Sequence, residues 1–191
     1  MNRVILSDST DETILAVTRQ HKLVDLEIEQ QINTEIVGCI YKGIVKNIVP
    51  AVDGIFVDIG IGKNAFLRRK DLLNEKRFPT EGSPILAQVI KSDTDMKGAL
   101  ITEKISMFGK YAVTLSGTGY IGVSKKIRQE SVRKRLKEIG KEICAEHMGL
   151  IIRTAAENAD MDEFRKDITR LKENWDIIQK RFRMEKSPTL L

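Results

Sequence analysis

The chain has 191 residues, 41% of them hydrophobic and 5% aromatic, with a formal net charge of +5. That length allows one or two small domains, each with its own core, and the basic excess favours polyanionic partners. Cys39 and Cys144 stand far apart with no CxxC or Cys/His grouping, which excludes a disulfide framework and a zinc site.

Charge is unevenly spread. Residues 1–36 carry three basic and seven acidic groups, residues 37–105 eleven and eight, and residues 106–191 eighteen and twelve. A nucleic-acid surface is therefore expected beyond residue 36. The start, Met1-Asn2-Arg3-Val4, lacks the apolar core of a signal peptide, and no apolar run nears membrane-spanning length; a soluble, cytoplasmic chain is expected.

In chain order, residues 1–36 read as short antiparallel strands. Val4-Ile5-Leu6 is followed by the turn-rich stretch 7–11, then by 13–17. The run 22–29 alternates polar and apolar with period two, as a strand with one wet face does. Three such strands are too few to stand alone and need a partner.

From 37 to 105 come five strand-like runs, 40–48, 54–59, 65–67, 85–90 and 99–105, separated by Pro50, Asp53-Gly54, Gly60 to Gly62, Pro79 with Gly82, and Lys97-Gly98. Five strands in about seventy residues suit a small Greek-key barrel of the OB type. Beyond it, 111–115 and 120–123 read as a hairpin around 116–119. Residues 129–143 read as a basic helix ending near Gly140, and 149–154 as a buried strand with a polar end. Residues 160–183 read as a long amphipathic helix, with Asp160 and Glu163 at capping-box spacing. The fold class is thus α+β: a barrel flanked by an N-terminal β segment and a C-terminal α/β region, 106–191.

The barrel segment holds the most informative residues. In Gly54-Ile55-Phe56-Val57-Asp58-Ile59, alternation that sends Ile55, Val57 and Ile59 inward leaves Phe56 outside with Asp58. A ring among polar neighbours on a barrel suits base stacking. Phe66 follows, and Lys46, Lys63, Arg68, Arg69 and Lys97 offer phosphate neutralisation nearby. The bland alternative puts both rings in the core and leaves the charges merely solvated. The basic run with Lys125, Lys126, Arg128, Arg133, Lys134, Arg135, Lys137 and Lys141 tracks phosphates or is a solvated helix face interrupted by Glu130, Glu138 and Glu142. The stripe from Met161 to Phe182 reads as core packing.

Gly43-x-Val45, Gly54-x-Phe56-Val57-Asp58-x-Gly60 and Ala65-Phe66-Leu67 resemble the RNA-binding domain repeated in ribosomal protein S1. More specifically, Ile40-Tyr41-Lys42-Gly43, Lys63-Asn64-Ala65-Phe66-Leu67, Lys97-Gly98-Ala99, Gly122-Val123-Ser124-Lys125-Lys126-Ile127 and Gly149-Leu150-Ile151-Ile152-Arg153-Thr154-Ala155-Ala156 resemble the ribonuclease E/G family. The resemblance runs over almost the whole chain. It implies an S1-type OB barrel that grips RNA through Phe56, Phe66 and Lys97. It also implies a sensor in which Arg153 and Thr154 hold the 5′-monophosphate of an RNA, with Gly109 and Val113 lining the pocket through their backbone.

A guanidinium fork matched to phosphate oxygens, beside a hydroxyl donor, is chemically apt for that task; without the resemblance, Arg153 reads as a surface ion-pairing group. The resemblance further implies that residues 1–36 are part of a split RNase H-like subdomain. In the family the Mg²⁺-binding aspartates, and a zinc-linked cysteine pair joining subunits into a homo-oligomer, lie past residue 191. Asp93 with Asp95 and Asp160 with Asp162 lack a third converging carboxylate, so no catalytic residue and no cofactor is assigned here. The expected function is binding of single-stranded RNA and recognition of its 5′-monophosphate within an endoribonuclease of RNA processing or decay. The alternative is a stand-alone RNA-binding protein.

Overall fold

A computed structural model describes residues 2–8, 12–20, 22–30, 36–94, 97–144 and 148–191. The turn expected at 7–11 and the Asp93–Asp95 pair fall partly outside them, at Ser9, Thr10, Asp11 and Asp95. The chain divides into two compact units, residues 1–36 and 37–191.

In the first unit, β1 (Asn2–Asp8), β2 (Glu12–Arg19) and β3 (Lys22–Gln30) form an antiparallel meander. Apolar residues stand opposite one another across it, Val4 opposite Val17 and Leu6 opposite Leu15. Consecutive apolar residues point to opposite faces, and Val4, Ile5, Leu6, Leu23, Val24 and Leu26 are all exposed.

The second unit begins with a closed barrel. Strands β4 (Ile40–Val49), β5 (Gly54–Asp58), β6 (Ala65–Arg68), β7 (Pro84–Lys91) and β8 (Leu100–Thr102) follow the order β4-β5-β6-β8-β7, and a β4–β7 pairing closes the ring. Period-two alternation builds its core: Val45, Ile55, Val57, Ile59, Ala65, Leu67, Ala87, Val89 and Ile101 are fully buried. The fold is α+β with an OB-like five-stranded barrel, as the strand count and turn spacing predict.

A second sheet holds β9 (Ser106–Phe108), β10 (Ala112–Ser116), β11 (Ile121–Val123) and β12 (Met148–Ile152) in the order β11-β12-β10-β9. This corrects the expected hairpin. β12 inserts between β10 and β11, antiparallel to the first and parallel to the second. The Gly-containing stretch 116–119 is therefore a link between non-neighbours. One face of the sheet packs its Ala112, Ile121, Leu150 and Ile152 against α1 (Glu130–Ile143) and α2 (Met161–Met184) through Leu136, Ile139, Phe164, Ile168 and Leu171. Gly140 does not end α1. It lies inside the helix, close against Leu150, and the helix runs on to Ile143.

α2 starts as its cap predicts, with the Asp160 carboxylate accepting the Asp162 and Glu163 N–H groups. Only half of the capping box forms. The Glu163 carboxylate instead accepts from the Tyr111 hydroxyl at 2.6 Å and Lys110 Nζ at 3.2 Å. These bonds hold Glu163 below the usual carboxylate range and raise Lys110, the Tyr111 contact being the larger cause in each.

At the other end of α2 the chain returns to the barrel. Strand β13 (Thr189–Leu190) pairs with Tyr41 and Lys42 of β4. The Lys42 ammonium donates to the Glu185 carbonyl at 2.7 Å and lies 5.1 Å from the Phe182 ring centroid.

Candidate nucleic-acid interface

Strand registers set the first part of the site. Asn47 on β4 is opposite Phe56 on β5, Phe56 opposite Phe66 on β6, Phe66 beside Leu100 on β8, and Leu100 opposite Lys91 on β7. Residues opposite one another share a face, so these five form one transverse row on the outside of the barrel. None of the five is buried, whereas Ile55, Val57, Ala65 and Leu67 between them are. The alternative of two core phenylalanines does not describe this barrel.

The two rings stand 5.4 Å apart between centroids at an interplanar angle of 51°. With Val52, Lys91, Ser92, Thr94, Lys97, Gly98 and Leu100 they line a cleft of about 660 Å³. Two tilted rings and two lysines lining one cleft have the composition of a single-strand stacking platform.

The other cations of the barrel sit differently. Lys46 pairs with Asp58 at 3.3 Å. Arg68 pairs with Asp71, and Arg69 pairs with Asp53 and lies 3.9 Å over the Phe78 ring. The Lys63 ammonium donates to the Thr94 carbonyl at 3.0 Å, which ties it to the loop that carries Lys97. Lys46, Arg68 and Arg69 are thus engaged by carboxylates and do not line the cleft; Phe56, Phe66 and Lys97 do.

Lys91 is a cleft residue that alternation misplaces. Counting by two from Ile85, Ala87 and Val89 sends it into the core. A β-bulge after Val89 shifts the register by one and turns it outward.

The second part of the site lies where β12 ends. Arg153 is exposed, its N–H bonded to the Tyr111 carbonyl at 2.8 Å. Its Nη1 donates to the Gly109 carbonyl at 2.8 Å and less closely to that of Lys110 at 3.4 Å. The Thr154 hydroxyl lies 3.0 Å from that of Ser124. Arg133 fixes the loop carrying Ser124 by donating to the Ser124 and Ile127 carbonyls at 2.7 and 2.9 Å. Arg153, Thr154 and Gly109 are thereby brought together. Val113, on β10, is opposite Ile151, two residues before Arg153. In the sequence Ser124 stands only within the family motif 122–127; its place beside Thr154 comes from the fold, which brings β11 alongside β12.

Of the basic run, Lys125, Lys126, Arg128, Lys134, Arg135, Lys137 and Lys141 are exposed, as are Glu130, Glu138 and Glu142. Exposure of these charges suits phosphate tracking and a solvated face alike, and Glu142 pairs with Arg165 of α2 at 3.0 Å. Among the described residues no three Asp, Glu, His or Cys side chains converge as metal ligands. Among them, too, no helix is long and apolar enough to cross a membrane.

Comparison with known proteins gives concordant matches in two segments. Residues 34–102 match the S1 RNA binding domain, and residues 106–191 match the ribonuclease E/G family. Over 195 aligned positions the chain is 34% identical to ribonuclease G of Escherichia coli K12, covering 93% of this chain and 40% of that protein. It is 34% identical to ribonuclease G of Haemophilus influenzae over the same shares. It is also 34% identical to ribonuclease E of Synechocystis over 165 positions, 81% of this chain and 24% of that protein. The chain therefore spans less than half the length of these relatives.

Proposed function

The chain belongs to the ribonuclease E/G family and carries an S1 RNA binding domain, and on that premise we propose that it grips unpaired RNA and reads its 5′ end for an endoribonuclease of RNA processing or decay. The barrel cleft is the grip. Successive bases stack on Phe56 and Phe66 while Lys97 and Lys91 neutralise the backbone, an arrangement tolerant of sequence because every base has a π-face. Arg153 and Thr154 are the end reader. The guanidinium takes two phosphate oxygens and the hydroxyl donates to a third, whereas a 5′-hydroxyl offers neither charge nor acceptors. Cleavage, with its Mg²⁺, is assigned to a part of the enzyme outside these residues.

The observation that carries the reading is the ring pair, in register on the outside of the barrel and in one cleft with Lys97. Titrating the chain with one single-stranded oligonucleotide in 5′-monophosphate and 5′-hydroxyl forms tests it. Phe56→Ala and Phe66→Ala should each weaken both forms by about 1–3 kcal/mol. Arg153→Ala should abolish the preference for the monophosphate and leave the hydroxyl form bound as before. Equal binding of the two forms by the unsubstituted chain would sink the end-reading half, and phenylalanine variants that bind normally would sink the gripping half.

A further inference from the structure

Behind the Arg153–Thr154 pair lies a buried acid with no part in the reading above. Asp167, in the second turn of α2, is only 7% exposed. One of its oxygens accepts the Lys110 N–H at 3.2 Å and the Arg170 guanidinium at 3.0 Å; the other accepts the Tyr111 N–H at 2.8 Å. Gly109 backs onto the same carboxylate so closely that a methyl group there would overlap it.

The pattern of bonds is specific. The Lys110 N–H and the Gly109 carbonyl belong to one peptide group, and the Tyr111 N–H and the Lys110 carbonyl to the next. Asp167 accepts from the N–H of each group, and Arg153 Nη1 donates to the carbonyl of each. A carboxylate and a guanidinium thus face one another through two peptide groups, with both peptide dipoles aligned between the charges. Hydrogen bonds in series polarise one another, so the carboxylate makes both carbonyls better acceptors for Arg153. A direct carboxylate–guanidinium pair would occupy the fork that a phosphate needs. Acting at one peptide's remove, the acid fixes Nη1 and leaves Nε and Nη2 without a hydrogen bond among the described residues.

We propose that Asp167 is a positioning residue of the 5′-phosphate site, setting the 109–111 loop from behind and through it the aim of Arg153. The inference rests on the end-reading role of Arg153 proposed above. Asp167 touches no RNA; its effect is confined to recognition of the 5′ end.

The test uses the full chain and the ratio of Kd for a 5′-hydroxyl oligonucleotide to Kd for its 5′-monophosphate form. Asp167→Asn keeps one acceptor oxygen but loses the charge and turns an NH₂ towards an N–H. The ratio should fall about tenfold, the scale of one lost hydrogen bond to a charged group, while the 5′-hydroxyl Kd stays unchanged because the barrel is untouched. A purely structural acid would lower thermal stability and leave the ratio alone. Asp167→Glu, which keeps the charge but shifts the carboxylate by one methylene relative to the 109–111 loop, should reduce the ratio similarly and replaces Asp167→Asn should that variant fail to fold. A ratio retained in the folded variant, or an equal fall in both affinities, overturns the proposal. Arg153→Ala separates the two claims. A ratio lost there but kept in Asp167→Asn overturns the positioning role alone. A ratio absent from the unsubstituted chain overturns the end-reading role and this one with it.

Discussion

At the residue scale, the candidate stacking platform depends on a side chain that is missing. Gly54 starts β5 opposite Arg68, and the Phe66 ring lies across it so closely that any Cβ would overlap the ring edge. Gly54→Ala should therefore push Phe66 off its place beside Phe56. Single-strand binding should weaken by about 1 kcal/mol or more, approaching the loss of the ring itself, while circular dichroism keeps the barrel's signature. Unchanged binding would mean that the ring's resting position is irrelevant to the grip. Phe56 was legible in the sequence because its alternation with Ile55 and Val57 needs only local geometry, whereas Phe66 stood out through the basic residues beside it and the family motif. Gly54 was legible only as a turn residue after Asp53, since the reason for its lack of a Cβ is a ring twelve residues further on. Glu163 was misread for the same reason: its capping partner is local, but Tyr111 and Lys110 compete for it from another element.

At the scale of elements, hydrophobic period identified strands and left their neighbours open. The runs around 111–115 and 120–123 are strands, yet adjacency in sequence suggested a hairpin that β12 pre-empts from 25 residues downstream of β11. A parallel partner leaves no mark in the turn between two strands. Bulges are equally silent, because one extra residue reverses every later assignment on the strand. β7 shows the consequence. Its bulge delivers Lys91 to the cleft, so Lys91→Ala should weaken binding of all single-stranded sequences alike. It should also flatten the dependence of log K on log salt by about 0.7, the value for one phosphate contact on a single strand. Titrations at several salt concentrations measure this, and an unchanged slope would remove Lys91 from the backbone contacts.

For the whole molecule, the strand count and turn spacing announced the barrel, and the periodic run announced α2 to within a residue or two at each end. What α2 joins was not legible. Its apolar stripe read as core packing, and the structure divides that packing between two places. Phe164, Ile168 and Leu171 pack under the second sheet, while Phe182 and the Glu185 carbonyl hold Lys42 of the barrel. A two-residue strand pairing with a partner nearly 150 residues earlier has no sequence signature at all.

A helix pinned at both ends is a ruler. Between Asp167 behind the end reader and Phe182 against the barrel, α2 rises roughly 22 Å at 1.5 Å per residue, and that rigid span fixes how far apart the two grips are held. Two grips on one rigid body act as a bivalent trap: a ligand that reaches both gains far more than one that reaches either, and the gain vanishes when the ligand is too short. The benefit of a 5′-monophosphate should therefore switch on above a threshold oligonucleotide length. Below it, the phosphorylated and unphosphorylated strands should compete as equals for the cleft.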